Sequence, residues 1–123
     1  MEKLLIFHLD DTEYQKVAQI AHSLKIDCEK VPDTSYNQTI EALASGKISP
    51  LVAPATGKVP GESLLLMCNL TDKRMDTLLA KLRAQNVRID YKAILTPTNK
   101  KWTVFQLMLE MYREKAAYRN MQP

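Results

Sequence analysis

Two apolar runs of strand length, KLLIFHL at residues 3–9 and SLLLMCNL at residues 63–70, are each followed by a stretch whose hydrophobic residues recur at helical spacing. A short, uninterrupted apolar run suits a strand buried on both faces, and a strand leading into an amphipathic helix suits a layered α/β fold. After the first run the periodic residues are Tyr14, Val17, Ala21 and Leu24, and after the second they are Met75, Leu78 and Leu82. KIDCEKV (25–31) and RIDYKAIL (88–95) then read as a further strand in each half. A short helix, YNQTIEALA (36–44), closes the first half, and a longer one, from about Trp102 to Tyr118, closes the second.

The chain therefore reads as two βαβα repeats, over residues 1–45 and 62–118, within one α/β domain spanning residues 1–123. The two uniformly apolar strands belong in the middle of a four-stranded sheet and the two alternating ones at its edges. If every strand is parallel, right-handed crossovers give the order 2-1-3-4 with helices on both faces. A ferredoxin-like α+β arrangement with an antiparallel centre is the alternative. The helix ahead of the second half favours the parallel sheet, because antiparallel neighbours need no helical crossover.

Between the halves, residues 46–61 hold all three glycines and three of the six prolines, so regular helix is not expected there. This segment reads as a spacer between the repeats, with a functional loop or a short edge strand near residues 50–53 as the other possibilities. Capping boxes are legible at Asp10 with Glu13 and at Ser35 with Gln38, each in front of an expected helix.

A chain of 123 residues with 46% hydrophobic and 25% charged side chains suits one soluble globular domain. KLLIFHL is too short to span a membrane and is followed at once by DDTE, without a signal peptide's basic start or cleavage site. A cytoplasmic location is expected, with no membrane or nucleic-acid partner. Cys28 and Cys68 have no ligand-like spacing, so reduced and buried thiols are expected. Residues 1–61 carry six basic and eight acidic side chains, whereas residues 62–123 carry eleven and six, so an anionic partner should meet the second half.

In a parallel sheet, ligands gather at the carboxyl ends of the strands, which would bring together Asp10 and Asp11, Asp33 and Thr34, Asn69, Thr71 and Asp72, and Thr96, Thr98, Asn99 and Lys100. The acidic pair Asp10 and Asp11 after the first strand is a weak candidate for a divalent cation, and with Thr96 supports a receiver-like phospho-acceptor or a small enzyme. However, the third strand ends in MCNL, where Asn69 cannot form an acyl phosphate, and Asp10 and Asp11 also suit a helix start. His8 and Cys68 occupy matching places in the two halves, but two ligands make no zinc site. TGKVPG lacks the earlier glycine and the following Ser or Thr of a phosphate loop. No cofactor is expected.

The second half resembles an uncharacterised bacterial family, domain of unknown function 3783, over residues 62–118. The resemblance is carried by Leu82 and Arg83 and by the pattern K-A-x-L-T-x-x-N-x-x-W, formed here by Lys92, Ala93, Leu95, Thr96, Asn99 and Trp102. It implies membership of a family and no established activity. Structurally, Thr96 to Asn99 makes a Pro-containing turn, Thr98 or Asn99 caps the final helix, and Trp102 begins its buried face. Functionally, Thr96, Asn99 and Lys100, with Lys92 and Arg83 nearby, form a candidate anion site at that helix N-terminus.

Lys100 and Lys101 are odd residues at a helix start, where the backbone partial charge is positive. The last helix presents Trp102, Phe105, Leu109 and Tyr112 on one stripe and Val104, Met108 and Met111 on the next, continuing toward Ala116 and Tyr118. This wide apolar face is core or, in part, a surface for a protein partner or a homodimer. The resulting functional expectation is a non-catalytic binding or regulatory domain for an unknown protein or a small anionic ligand.

Overall fold

In the computed structural model, residues 1–121 are described, with side chains to residue 117. The chain divides into two compact units, Met1–Asp33 with Gly61–Leu95, and Thr34–Pro60 with the chain from Thr96 onward.

The first unit holds the four strands, β1 (Lys3–Phe7), β2 (Asp27–Val31), β3 (Leu64–Cys68) and β4 (Tyr91–Ile94), and two helices, α1 (Asp11–Ser23) and α3 (Asp72–Ala84). The remaining helices, α2 (Ile40–Ser45) and α4 (Val104–Met121), belong to the second unit.

The sheet order is β2-β1-β3-β4, with the apolar strands in the centre as expected. The expected all-parallel sheet is wrong. β1–β2 and β3–β4 are parallel, but the central β1–β3 pair is antiparallel, with Lys3 opposite Cys68, Leu5 opposite Leu66 and Phe7 opposite Leu64. The physical reason lies in the connections. Each parallel pair is closed within its own half by α1 or α3, while some thirty residues separate β2 from β3 and can enter the sheet from either end. A helix in that segment carries no information about strand direction.

Strand alternation places Leu4, Ile6, Leu65 and Met67 on one face, in a core cluster with Val17, Ile20 and Ala21 of α1 and Leu78 and Leu82 of α3. Leu5, Phe7, Leu64 and Leu66, on the other face, are also fully buried, which accounts for the unbroken apolar runs. Each such aliphatic side chain withdraws enough surface to contribute about 1.5–3 kcal/mol.

The two βαβ segments correspond closely. His8 and Asn69 both follow a central strand at positive φ, and Asp10 and Thr71 then cap the helices, accepting from the N–H of Glu13 and of Arg74. Each helix ends in a left-handed residue, Lys25 or Asn86, with the paired backbone bonds of a Schellman turn. For α1 these are Lys25 N–H to His22 C=O and Ile26 N–H to Ala21 C=O.

In the second unit α2 starts later than expected. Its cap is Thr39, which accepts from Ala42 N–H, and the expected Ser35–Gln38 capping box does not form. Gln38 is instead buried and paired with Ser49 in both directions, Nε2–H to Ser49 C=O at 2.9 Å and Ser49 N–H to Oε1 at 3.0 Å. With Asn37 donating to Ala53 C=O and Ala55 N–H to Thr34 C=O, this pairing fastens a loop that contains no strand at residues 50–53. Tyr36 meets Phe105 edge-on, with ring centroids 5.5 Å apart, and Ile40 N–H donates to Trp102 C=O at 2.8 Å.

α4 begins at Val104, with Thr103 accepting from Gln106 N–H, so neither Thr98 nor Asn99 is its cap. Val104, Leu107 and Met108 are its buried face, while Leu109 and Tyr112 are 47% and 57% exposed. The side chain of Tyr118, named in the expected stripe, lies outside the described residues. Among the described residues no helix is long and apolar enough to cross a membrane.

Candidate functional site

The carboxyl ends of β1 and β2 open on a cleft of about 700 Å³, lined by His8, Leu9, Asp10, Lys30, Val31, Pro32, Asp33, Ser63, Arg88 and Asp90. Antiparallel pairing of the central strands builds the far wall. Because Phe7 lies opposite Leu64, and Leu64 beside Tyr91, the residues that precede β3 and β4 arrive where β1 ends. Ser63, Arg88 and Asp90 thus join a site that the carboxyl ends of a parallel sheet would not contain.

Several of these side chains already have partners. Asp90 accepts from the N–H of Ser63 at 2.8 Å and from its hydroxyl at 3.3 Å, and Asp90 N–H donates back to Ser63 Oγ at 2.9 Å. Ser63, only 6% exposed, therefore fastens the starts of β3 and β4 together. One oxygen of Asp10 caps α1, accepting from Glu13 N–H at 2.8 Å. His8 Nδ1 lies 3.6 Å from Asp33 Oδ1, a separation too long for a good hydrogen bond.

Lys30 is turned to Asp11, whose carboxyl is held below the usual range by that hydrogen bond and by the ammonium charge. Its ammonium also stands 5.6 Å from the centre of the Tyr14 ring. The Arg88 backbone N–H donates to Glu13 Oε2 at 3.1 Å. That bond, followed by the one from Lys16, lowers the Glu13 pKa. The Arg88 guanidinium has no hydrogen bond or ion pair with any described residue.

The acidic pair is thus divided between a helix cap and a lysine, and the described residues contain no group of three metal-ligating side chains. His8 and Cys68 are not neighbours either. Lys3 is the residue opposite Cys68, so the histidine and the cysteine lie at opposite ends of the central pair. Both thiols are free. Cys68 is buried, and its pKa is pushed up to about 11 by burial, while Cys28 is half-buried and shifted upward for the same reason.

The carboxyl-end set expected for a parallel sheet is split by the reversed central pair, since Asn69 and Asp72 follow the end of β3 that lies beside Lys3. Of the proposed anion-binding residues, Thr96 and Asn99 are brought together by reciprocal bonds. Thr96 N–H donates to Asn99 Oδ1 at 2.9 Å, and Asn99 N–H to Thr96 Oγ1 at 3.0 Å. Lys100 and Lys101 fall in a 3₁₀ turn at Asn99–Lys101, ahead of α4, with Lys100 N–H bonded to Thr96 C=O at 3.1 Å.

Lys92 is exposed on the edge strand β4. Arg83, also exposed, lines a smaller cleft of about 350 Å³ with Asn86, Val87 and Arg88. Lys30, Ser63, Arg88 and Asp90 are cleft residues that the sequence does not single out, and Arg88 is the one among them whose side chain is not taken up by a described residue. It begins an expected edge strand, and nothing in its local pattern distinguishes it from a solvated arginine.

Residues 63–118 match a family model described as Domain of unknown function (DUF3783). The match covers β3, α3, β4 and most of α4, and with them Ser63, Arg88 and Asp90. It leaves out His8, Asp10, Lys30 and Asp33, so the cleft is built from the matched segment and the chain before it. No curated protein and no solved structure matches the chain.

Proposed function

We propose that this chain, whose C-terminal part is a DUF3783 domain, is a non-catalytic binding domain that seats a small polar ligand in the cleft at the ends of β1 and β2. The observation that carries the reading is the cleft itself, about 700 Å³ in volume and lined by both charge signs. Cavities of this size take small molecules, and convergent polar groups on rigid elements orient them.

The Arg88 guanidinium and the second oxygen of Asp10 are donor and acceptor positions not taken up within the described residues, and His8 and Asp33 flank them. A non-catalytic role is supported by the orientation of Ser63, the lining hydroxyl. It is hydrogen-bonded to Asp90 and has no bond to His8, so no serine–histidine pair is assembled among the described residues. The correspondence of caps, left-handed residues and helix ends also supports a duplicated origin for the two βαβ segments, one of which joins its neighbour to form the site.

The test is an amide chemical-shift screen of the full chain with amino acids, monocarboxylic acids, sugars and sugar phosphates. A ligand should shift His8, Lys30, Asp33 and Arg88 together and saturably, and Asp33→Asn should weaken the response. If compounds bind elsewhere while these four signals stay fixed, the reading is wrong.

A further inference from the structure

We propose that Arg83 and Arg88 form a binding site for a compact oxyanion, a carboxylate or a phosphate, on the turn that follows α3. The site is separate from the larger cleft in all but Arg88 and lies wholly within the DUF3783 segment.

The turn holds both arginine backbones in place. Asn86 takes the left-handed conformation at φ 55°, its N–H bonded to Arg83 C=O at 3.0 Å, and Val87 N–H reaches Leu82 C=O at 3.1 Å. Val87 packs against the core cluster, and the N–H of Arg88 is held by Glu13. A Schellman turn thus holds the Arg83 and Arg88 backbones, and both residues line one cleft with Asn86 and Val87.

Charge then decides the ligand. The cleft is lined by Arg83, Asn86, Val87 and Arg88, with no carboxylate among them. Neither guanidinium has a hydrogen bond or ion pair with a described residue. Glu13, which touches this turn, gives one oxygen to Lys16 and the other to the Arg88 N–H.

A cation in the last turn of α3 is favoured by the helix dipole, which explains Arg83 alone, as it explains Lys81. It does not explain Arg88, which lies beyond the helix. Two guanidiniums lining one cleft with a neutral amide suit a carboxylate or phosphate, because each can donate two parallel hydrogen bonds.

The full chain would be titrated separately with inorganic phosphate and with acetate, using chloride at matched ionic strength as the control for screening. Saturable shifts are expected at Arg83, Asn86 and Arg88, including the arginine Nε and asparagine side-chain signals. A response to one anion and not the other identifies which of the two chemistries the site takes. Affinity should fall at least about tenfold in Arg83→Gln and in Arg88→Gln, and should be unchanged in Asp33→Asn, which alters the larger cleft alone. Both arginines are exposed, so the variants should melt as the parent does. Shifts no different from those of chloride, or binding that survives both arginine substitutions, would overturn the proposal. Arg88 lines both clefts, so it is the loss in Arg83→Gln, with Asp33→Asn unaffected, that separates this site from the larger cleft.

Discussion

The Glu2 carboxylate takes two parallel donors from Arg74, Nε at 2.9 Å and Nη2 at 2.8 Å, and the same Nη2 also donates to Leu24 C=O at 2.6 Å. This fork joins the residue before β1, the first turn of α3 and the end of α1. At the matching place in the first βαβ segment Glu13 makes the reverse tie, accepting the Arg88 N–H in front of β4. One helix donates to the loop before the opposite edge strand, and the other accepts from it.

The hydrogen bond from Arg74 holds the Glu2 carboxyl below its usual pKa. A carboxyl whose pKa is depressed by folding stabilises the protein above its unfolded pKa, and this contribution is lost as pH falls through the folded value. Urea midpoints of the parent should therefore decline from about pH 5 to about pH 3 more steeply than those of Glu2→Gln. Superimposable pH profiles would show that the fork does not contribute.

Lys25 occupies a left-handed position, φ 60°, at the end of α1, where its β-carbon crowds the backbone. Replacing it with glycine should stabilise the protein by about 1 kcal/mol, because the left-handed conformation costs an L-residue roughly that much. Lys25→Ala, which keeps the β-carbon, should gain nothing. Equal melting temperatures for the two variants would contradict the account.

Gln38 imitates a strand partner for Ser49 and is 7% exposed. Gln38→Ala removes the partner of the half-buried Ser49 N–H and should cost about 1 kcal/mol. Hydrogen exchange at the Ser49 amide should accelerate in step with the loss. A protected Ser49 amide in the variant would show that the loop is held by other contacts.

Burial keeps the Cys68 thiol protonated, with a pKa of about 11. Near pH 8 roughly one Cys68 in a thousand would be thiolate. Iodoacetamide at that pH should leave Cys68 unmodified in the native protein and label it after urea is added, as read by mass spectrometry. Because folding raises this pKa, the related stability is present below the unfolded thiol pKa and is lost as pH rises through about 11. Prompt native labelling would be incompatible with the packed position.

The segment TPTNKKW shows how far local pattern reaches. Thr96 and Asn99 are paired, as a turn before the last helix implies, yet each satisfies the other's backbone, and neither caps α4. That task falls to Thr103, which the sequence places just as plausibly. The two lysines lie in a separate 3₁₀ turn ahead of Thr103, the cap of α4, and not in that helix's first turn. What could not be read was where the helix starts, because Thr98, Asn99 and Thr103 are all competent caps and tertiary packing chooses among them.

Hydrophobic patterning alone determined which strands are central and which lie at the edges, because an unbroken apolar run must be buried on both faces and an alternating one need not be. It also determined the helical faces of Val17, Ala21, Leu78 and Leu82, while the spacing of Asp10 and Glu13 marked Asp10 as the cap of α1. Tertiary structure decided the direction of β3. Leu64 to Cys68 fills a central position equally well pointing either way, since strand burial is indifferent to polarity and the connection from β2 is long enough for both. That one reversal parts Asp33 from Asn69, sets Ser63, Arg88 and Asp90 at the end of β1, and gives the cleft two walls from distant parts of the chain.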